Sequence, residues 1–210
     1  MRTVALKWQA ALLLATSATA AQACSVTSSY RVPTNLQLVE QADVIVLARV
    51  TDGGPSSFGE VRKAKLIPFA VLKGAVLPGP ILLEDAFLSS EQMKATASDP
   101  RNLVDANPEA FSGSCNRSTF ANGMIVLSFL RRTTRGFDPI VPAFSRALED
   151  VPSPDALWVK TVRLYVKIAD VPKLGRLKEM RYWRDLLKVE IDDPDSRLLA
   201  LELDRAIRQP

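Results

Sequence analysis

Histidine is absent from all 210 residues. That removes Ser-His-Asp and Cys-His nucleophile systems, histidine-bearing zinc sites and imidazole general bases. An enzyme built from this chain would have to use carboxylates, Lys, Tyr or a metal held by oxygen ligands. The carboxylates that stand close in sequence are Glu40 with Asp43 and Glu84 with Asp85, and their spacing does not mark a pair converging on one substrate. A non-enzymatic protein is expected, with no catalytic residue, no cofactor and no intrinsic metal site. Long apolar runs are missing as well. Nothing after the first 23 residues approaches about eighteen uninterrupted apolar residues, so no transmembrane span is expected. Aromatic residues make up only 7% of the chain. Arg131, Arg132 and Arg135 therefore read as a solvated hairpin tip rather than as a nucleic-acid patch with stacking platforms. Asp192, Asp193 and Asp195 lack the glycine and terminal Glu of a calcium loop and read as a helix cap.

The cysteines number two, Cys24 and Cys115. Ahead of the first lies a positive start at Arg2 and Lys7, an apolar stretch from Trp8 to Ala15 and the small-residue site Ala21-Gln22-Ala23. This is the pattern of a signal peptide over residues 1–23, with Ala18-Thr19-Ala20 as a competing cleavage site. The protein is accordingly expected to be exported, periplasmic or extracellular. Loss of the leader leaves 25 basic against 23 acidic residues, a near balance that argues against a dedicated nucleic-acid binder. In an oxidising compartment the two thiols are expected to pair, Cys24 with Cys115. On the loop-entropy account such a bridge contributes about 4 to 5 kcal/mol. Ala23 suits a lipid-anchor signal at Cys24, but Ala21 stands where such signals carry a bulky aliphatic, so lipidation is the less favoured outcome.

From Asp43 the run DVIVLARV alternates within an almost wholly apolar stretch, the pattern of a strand buried on both faces. Gly53-Gly54-Pro55 is expected to end it. A second strand is predicted over Glu60–Leu72, with Pro68 at an edge or bulge, and a short third from Pro80. Residues 86–114 break every period; a long loop with a short helix over Ser90–Ala97 is predicted there, and a loop of that length usually has a function. Asn122-Gly123 predicts a turn, Met124–Leu130 a buried strand, RRTTRG a hairpin tip and Phe137–Leu148 a last, proline-interrupted strand. Beyond residue 148 the period changes. Ser153-Pro154 predicts a helix start, and further amphipathic helices are predicted over Lys173–Val189 and from Asp193-Pro194. Asn116-Arg117-Ser118 is a glycosylation sequon.

An N-terminal cysteine followed in order by LVEQADVIVLARV, FAVLKG and SCNRSTFANGMIVLSF resembles the netrin-like domain of the tissue inhibitors of metalloproteinases and their bacterial relatives. The resemblance covers about residues 24–140. It implies a five-stranded OB-type barrel, taken here as residues 24–148; the helices read from the later periods fall outside the resemblance, and a mainly β protein with added α is expected, with a helical segment, 149–210, packed on the barrel. It also implies a protein partner, a zinc metalloprotease. In those inhibitors the amine and carbonyl of the first cysteine grip the protease zinc, where an open position accepts them. Carried over, Cys24 would be the chelator, Ser25 the pocket residue, and Val26 and Thr27 the rest of the ridge. Position 26 is a second cysteine in the inhibitors and Val here, which leaves Cys115 as the sole tether and makes the structural staple the favoured role of Cys24. The alternative is an OB-type module that binds an oligosaccharide or other polymer through its face and the 86–114 loop.

Overall fold

A computed structural model describes residues 25–57, 59, 61–190 and 192–209; the expected leader, residues 1–23, and Cys24 lie outside them. Among the described residues the chain forms a mixed α/β fold with one seven-stranded sheet and four α-helices. Helix α1 (Asn35–Gln41) precedes strands β1 (Val44–Pro55), β2 (Arg62–Lys73) and β3 (Ile81–Leu88), an antiparallel meander. A long irregular segment leads to β4 (Thr119–Phe120), which pairs parallel with β3. Then β5 (Ile125–Thr133) returns along β1, and β6 (Gly136–Pro139) and β7 (Leu148–Asp150) both pair with β5. Helices α2 (Leu157–Ala169), α3 (Lys173–Val189) and α4 (Pro194–Arg208) complete the fold.

The alternation in β1 has the predicted result. Val44, Val46, Ala48 and Val50 enter one apolar cluster with Ala64, Leu66, Ile81, Leu83 and Phe120. Ile45 and Leu47 enter another, with Leu127 and Phe129 of β5 and the inner faces of the helices. The first cluster fills the concave side of the curled sheet, and the second is covered by helices. Each fully buried aliphatic in this central strand contributes roughly 1.5 to 3 kcal/mol. Phe129 meets Trp158 of α2 across the second cluster, their ring centroids 6.2 Å apart.

One expectation about the sheet is corrected. A five-stranded OB-type barrel was predicted, but among the described residues the sheet has seven strands, six in the open path β4-β3-β2-β1-β5-β6 and β7 paired with β5 off that path. The curl is strong, since β4 at one edge is separated from β5 by only residues 121–124. Between β3 and β6, however, a cleft of about 450 Å³ lined by Leu82, Ala86, Arg135 and Pro139 replaces a ladder. Gly53-Gly54-Pro55 ends β1 as predicted, with the ladder kept to Pro55: Asp52 accepts from the Gly54 N–H (2.7 Å) and pairs with Arg62 on the neighbouring strand. Pro68 sits beside a bulge, as predicted: Leu47 pairs with Ala70 and Ala48 with Pro68, which leaves Phe69 as the extra residue. The Asn122-Gly123 turn and the Thr134-Arg135 hairpin tip form as predicted.

No helix forms over Ser90–Ala97. Helix α2 starts at Leu157, a turn later than Ser153-Pro154 suggests, because Ser153 and Asp155 are held in a local turn. Helix α1 was not anticipated, although Thr34-Asn35-Leu36-Gln37 is a capping box: Thr34 Oγ1 accepts from the Gln37 N–H and Gln37 Oε1 from the Thr34 N–H. The FAVLKG element finishes this helix. Lys73 Nζ donates to the carbonyls of Val39 (2.7 Å) and Ala42 (2.6 Å), the end that favours a cation. Gly74 follows with φ +96°, and a side chain there would strike Val44 and the Asp43 carbonyl.

Candidate binding site

Of the four residues predicted as a ridge, Cys24, Ser25, Val26 and Thr27, the last three are among the described residues. Ser25, Val26 and Thr27 are exposed and belong to no helix or strand, and Cys24 lies outside the described residues. The segment is tied down a few residues later, where the Tyr30 hydroxyl donates to the Ala143 carbonyl at 2.8 Å. Cys115 lies nearby and is buried, and among the described residues no cysteine is free. Cys115 and Phe144 are the two described residues other than glycine with left-handed backbone, φ 59° and 57°. They touch each other: the Phe144 N–H donates to the Cys115 carbonyl at 2.7 Å. Two such residues in one contact are held against a local cost of roughly 1 to 3 kcal/mol each, a feature that clusters at functional places. The result here is that Phe144 stacks on Phe111, with centroids 5.4 Å apart.

The long segment between β3 and β4 is anchored by buried polar groups. Arg117, whose side chain is almost fully buried, forms an ion pair with Asp150 of β7, donates to the carbonyls of Thr119 (3.1 Å) and Thr96 (3.0 Å), and lies over the Phe120 ring. The Ser98 N–H donates to Asp150 at 2.9 Å and the Asn107 N–H to Glu149 at 2.7 Å. The Ser98 hydroxyl contacts both Glu149 Oε2 and Asp150 Oδ1, the latter at 2.6 Å, while accepting from Asn107 Nδ2. One hydroxyl has one proton to give. The second carboxyl contact is satisfied when Glu149 keeps its own proton and donates it to Ser98. Burial pushes the Glu149 carboxyl above its ordinary value, against the pull of Arg146. Asp150 is also desolvated, but the Arg117 charge and the Ser98 bonds hold its carboxyl below the usual range. The two neighbouring acids are thus pushed apart.

Between this network and the surface lies a cleft of about 360 Å³, lined by Asp99, Asn102, Asp105, Asn107, Phe111 and Arg146 among others. Its walls are shaped by local turns. Asp99 Oδ1 accepts from the Arg101 N–H, and Asn102 Oδ1 from the N–H groups of Val104 and Asp105. One oxygen of Asp99 and one of Asp105 remain without a bond to described residues. Phe111 stands 57% exposed at the rim, backed by Phe144. Arg146 forms the floor: it is buried, its guanidinium stacks on Trp158 (4.5 Å to the ring centroid) and donates to the Asn102 carbonyl, and its Nε has no partner among the described residues. Burial lowers the pKa of this guanidinium.

The remaining sequence candidates do not assemble into a site. Glu40 pairs with Arg176, and Asp43 accepts from the Arg132 N–H (2.7 Å). Glu84 pairs with Lys63, and Asp85 lines the separate cleft beside β3. Arg131, Arg132 and Arg135 are exposed at the β5–β6 tip, where Arg132 covers Phe137. Asp193 caps α4 as predicted and, with Asp195, pairs with Lys160. The Asn116 side chain, oriented to satisfy its surroundings, donates to the carbonyls of Pro142 (3.1 Å) and Cys115 (2.9 Å). Among the described residues no group of acids and cysteines is arranged to hold a metal, and no helix is long and apolar enough to cross a membrane.

Ser98, Asn107, Phe111, Arg117, Arg146, Glu149 and Asp150 were not singled out by sequence reasoning. One signal was present: Arg146, Glu149 and Asp150 crowd the end of a predicted strand whose neighbours are apolar, and charges in such a place are paired. No family model, curated protein or solved structure matches the chain.

Proposed function

We propose that this is an exported, non-catalytic binding protein that takes an oligosaccharide or similar polyhydroxylated polymer of the cell envelope in the cleft under residues 98–111. The observation that carries the reading is the lining of that cleft: two carboxylate oxygens with spare capacity, on Asp99 and Asp105, beside an exposed aromatic ring held in place from behind. Carboxylates accept bonds from hydroxyls, and an aromatic face packs on the apolar face of a ring, which is the mixture small-ligand sites use. Titration calorimetry of the mature protein against envelope polysaccharides and their fragments tests it. Phe111→Ala and the pair Asp99→Asn with Asp105→Asn should each weaken binding by about tenfold, the equivalent of 1.4 kcal/mol. Binding that ignores all three changes defeats the reading.

A second reading is favoured by the exposed Ser25–Thr27 segment directly after Cys24. In it, a Cys24 with Cys115 bridge holds the mature N-terminus, and the amine and carbonyl of Cys24 bind the zinc of a metalloprotease. Netrin-like kinship of the sheet half belongs to this reading, and its support is the order of the four motifs together with the strong curl of β1–β5. Sequencing the N-terminus of native protein decides first: a start at Ala21, or an acylated cysteine, removes this reading. If the start is Cys24, one added residue before it should abolish inhibition and leave the melting temperature unchanged. Polymer binding should ignore that extension.

A further inference from the structure

Helix α3 buries Met180 and Leu187 against the rest of the molecule and turns an unusually apolar face outward. Leu174 is fully exposed, Val189 is 72% exposed and Tyr182 58%. Lys178 and Asp185 share this outer face because positions 174, 178, 182, 185 and 189 follow each other at helical three- and four-residue spacing. Lys178 makes no ion pair among the described residues, and Asp185 pairs only with its neighbour Arg184, in solvent.

The order of these residues is symmetric. Lys178 and Asp185 lie equally far on either side of the midpoint between Arg181 and Tyr182, and so do Leu174 and Val189. When two copies of α3 lie antiparallel about a two-fold axis through that midpoint, Lys178 of each faces Asp185 of the other. Leu174 then faces Val189 at both ends, and the two Tyr182 rings meet beside the axis. An isologous interface requires this property, that each residue meet its complement when the surface is turned on itself.

We propose that this face is a dimerisation surface whose occupant is α3 of a second copy of the chain. The charges argue for a copy of the chain over other apolar partners, since a generic apolar partner would leave Lys178 and Asp185 desolvated and unpaired. A helix of 17 residues is about 25 Å long, so the paired surface is small and a reversible, concentration-dependent dimer is expected.

Sedimentation equilibrium of the mature protein over a range from low to high micromolar tests this. The wild type should shift from monomer to dimer across that range. Lys178→Glu places like charges opposite each other twice and should raise the dissociation constant by tenfold or more; Asp185→Lys should do the same. The double variant Lys178→Glu with Asp185→Lys restores the pairing and should recover most of the affinity, while Leu174→Asp should leave only monomer. All three positions are exposed, so unchanged melting curves will confirm that the variants fold. A protein that stays monomeric throughout overturns the proposal. So does a double variant as weak as either single one, or capture of monomer by vesicles of anionic phospholipid that depends on the same residues.

Discussion

The Arg117 cluster and the Lys160 cluster both join parts of the chain far apart in sequence, using the same chemistry in different surroundings. Arg117 and Asp150 are 33 residues apart with side chains 2% and 12% exposed. Lys160 and Asp195 are 35 apart with side chains 34% and 19% exposed, and Asp193 is more open still. In the first, every desolvated charge must find a partner, and Ser98, Thr96, Thr119 and Asn107 supply the bonds that complete it. In the second, water can replace whatever is lost. The difference teaches that the first cluster specifies one path for residues 96–118, whereas the second adds a modest tie between α2 and the start of α4.

The largest expected effect comes from breaking the buried cluster. Arg117→Ala leaves the buried Asp150 carboxylate without its cation and takes one of the two donors from the Thr96 carbonyl; it should cost about 3 to 5 kcal/mol, read from denaturant midpoints. It should also expose the 96–118 segment to proteolysis, and the loss should hardly change with salt.

Glu149→Gln sharpens the same side of the comparison through pH. Because burial raises the Glu149 carboxyl above 4.5, its contribution is fully present below that value and is lost as pH rises through the raised folded value. Asp150 runs the other way: its carboxyl is held below 3.8, so its contribution is present above 3.8 and is lost as pH falls. Gln can donate to Ser98 as a protonated Glu does. The variant should therefore flatten the decline in stability on the way to neutral pH and leave the acid limb unchanged. Urea midpoints across a pH series read both limbs; an undiminished decline would mean that Glu149 is ionised in the fold.

Smaller effects are expected in the exposed cluster. Asp193→Ala removes the cap of α4 and should cost about 1 kcal/mol. Lys160→Ala should cost less than about 1 kcal/mol, and that cost should fade as salt is added. A salt-insensitive loss at Lys160 as large as that at Arg117 would erase the distinction between the clusters.

Much of the fold was legible where the signal is local. The two-faced burial of β1 follows from DVIVLARV, and the turn at Gly123, the cap at Asp193 and the extent of α3 follow from neighbouring residues. The capping box at Thr34 is equally local, written in Thr34 and Gln37. The candidate site was hardly legible. Its polar groups come from positions 98, 107, 117, 146, 149 and 150, and Ser98 reaches Glu149 across 51 residues. No period or spacing announces such a meeting. The barrel expectation failed at the same scale, because closure depends on how far β3 and β6 approach and a cleft lies there instead.

The sequence by itself determined what hydrogen bonds within a turn and alternation along a strand can encode: which segments extend, which coil, where they stop, and that histidine chemistry is excluded. Tertiary structure alone decided how the sheet curls, which of the two neighbouring acids has its pKa raised and which lowered, and which face of α3 stays bare. Those outcomes depend on desolvation and on partners brought from distant parts of the chain, and neither is written in any single stretch of residues.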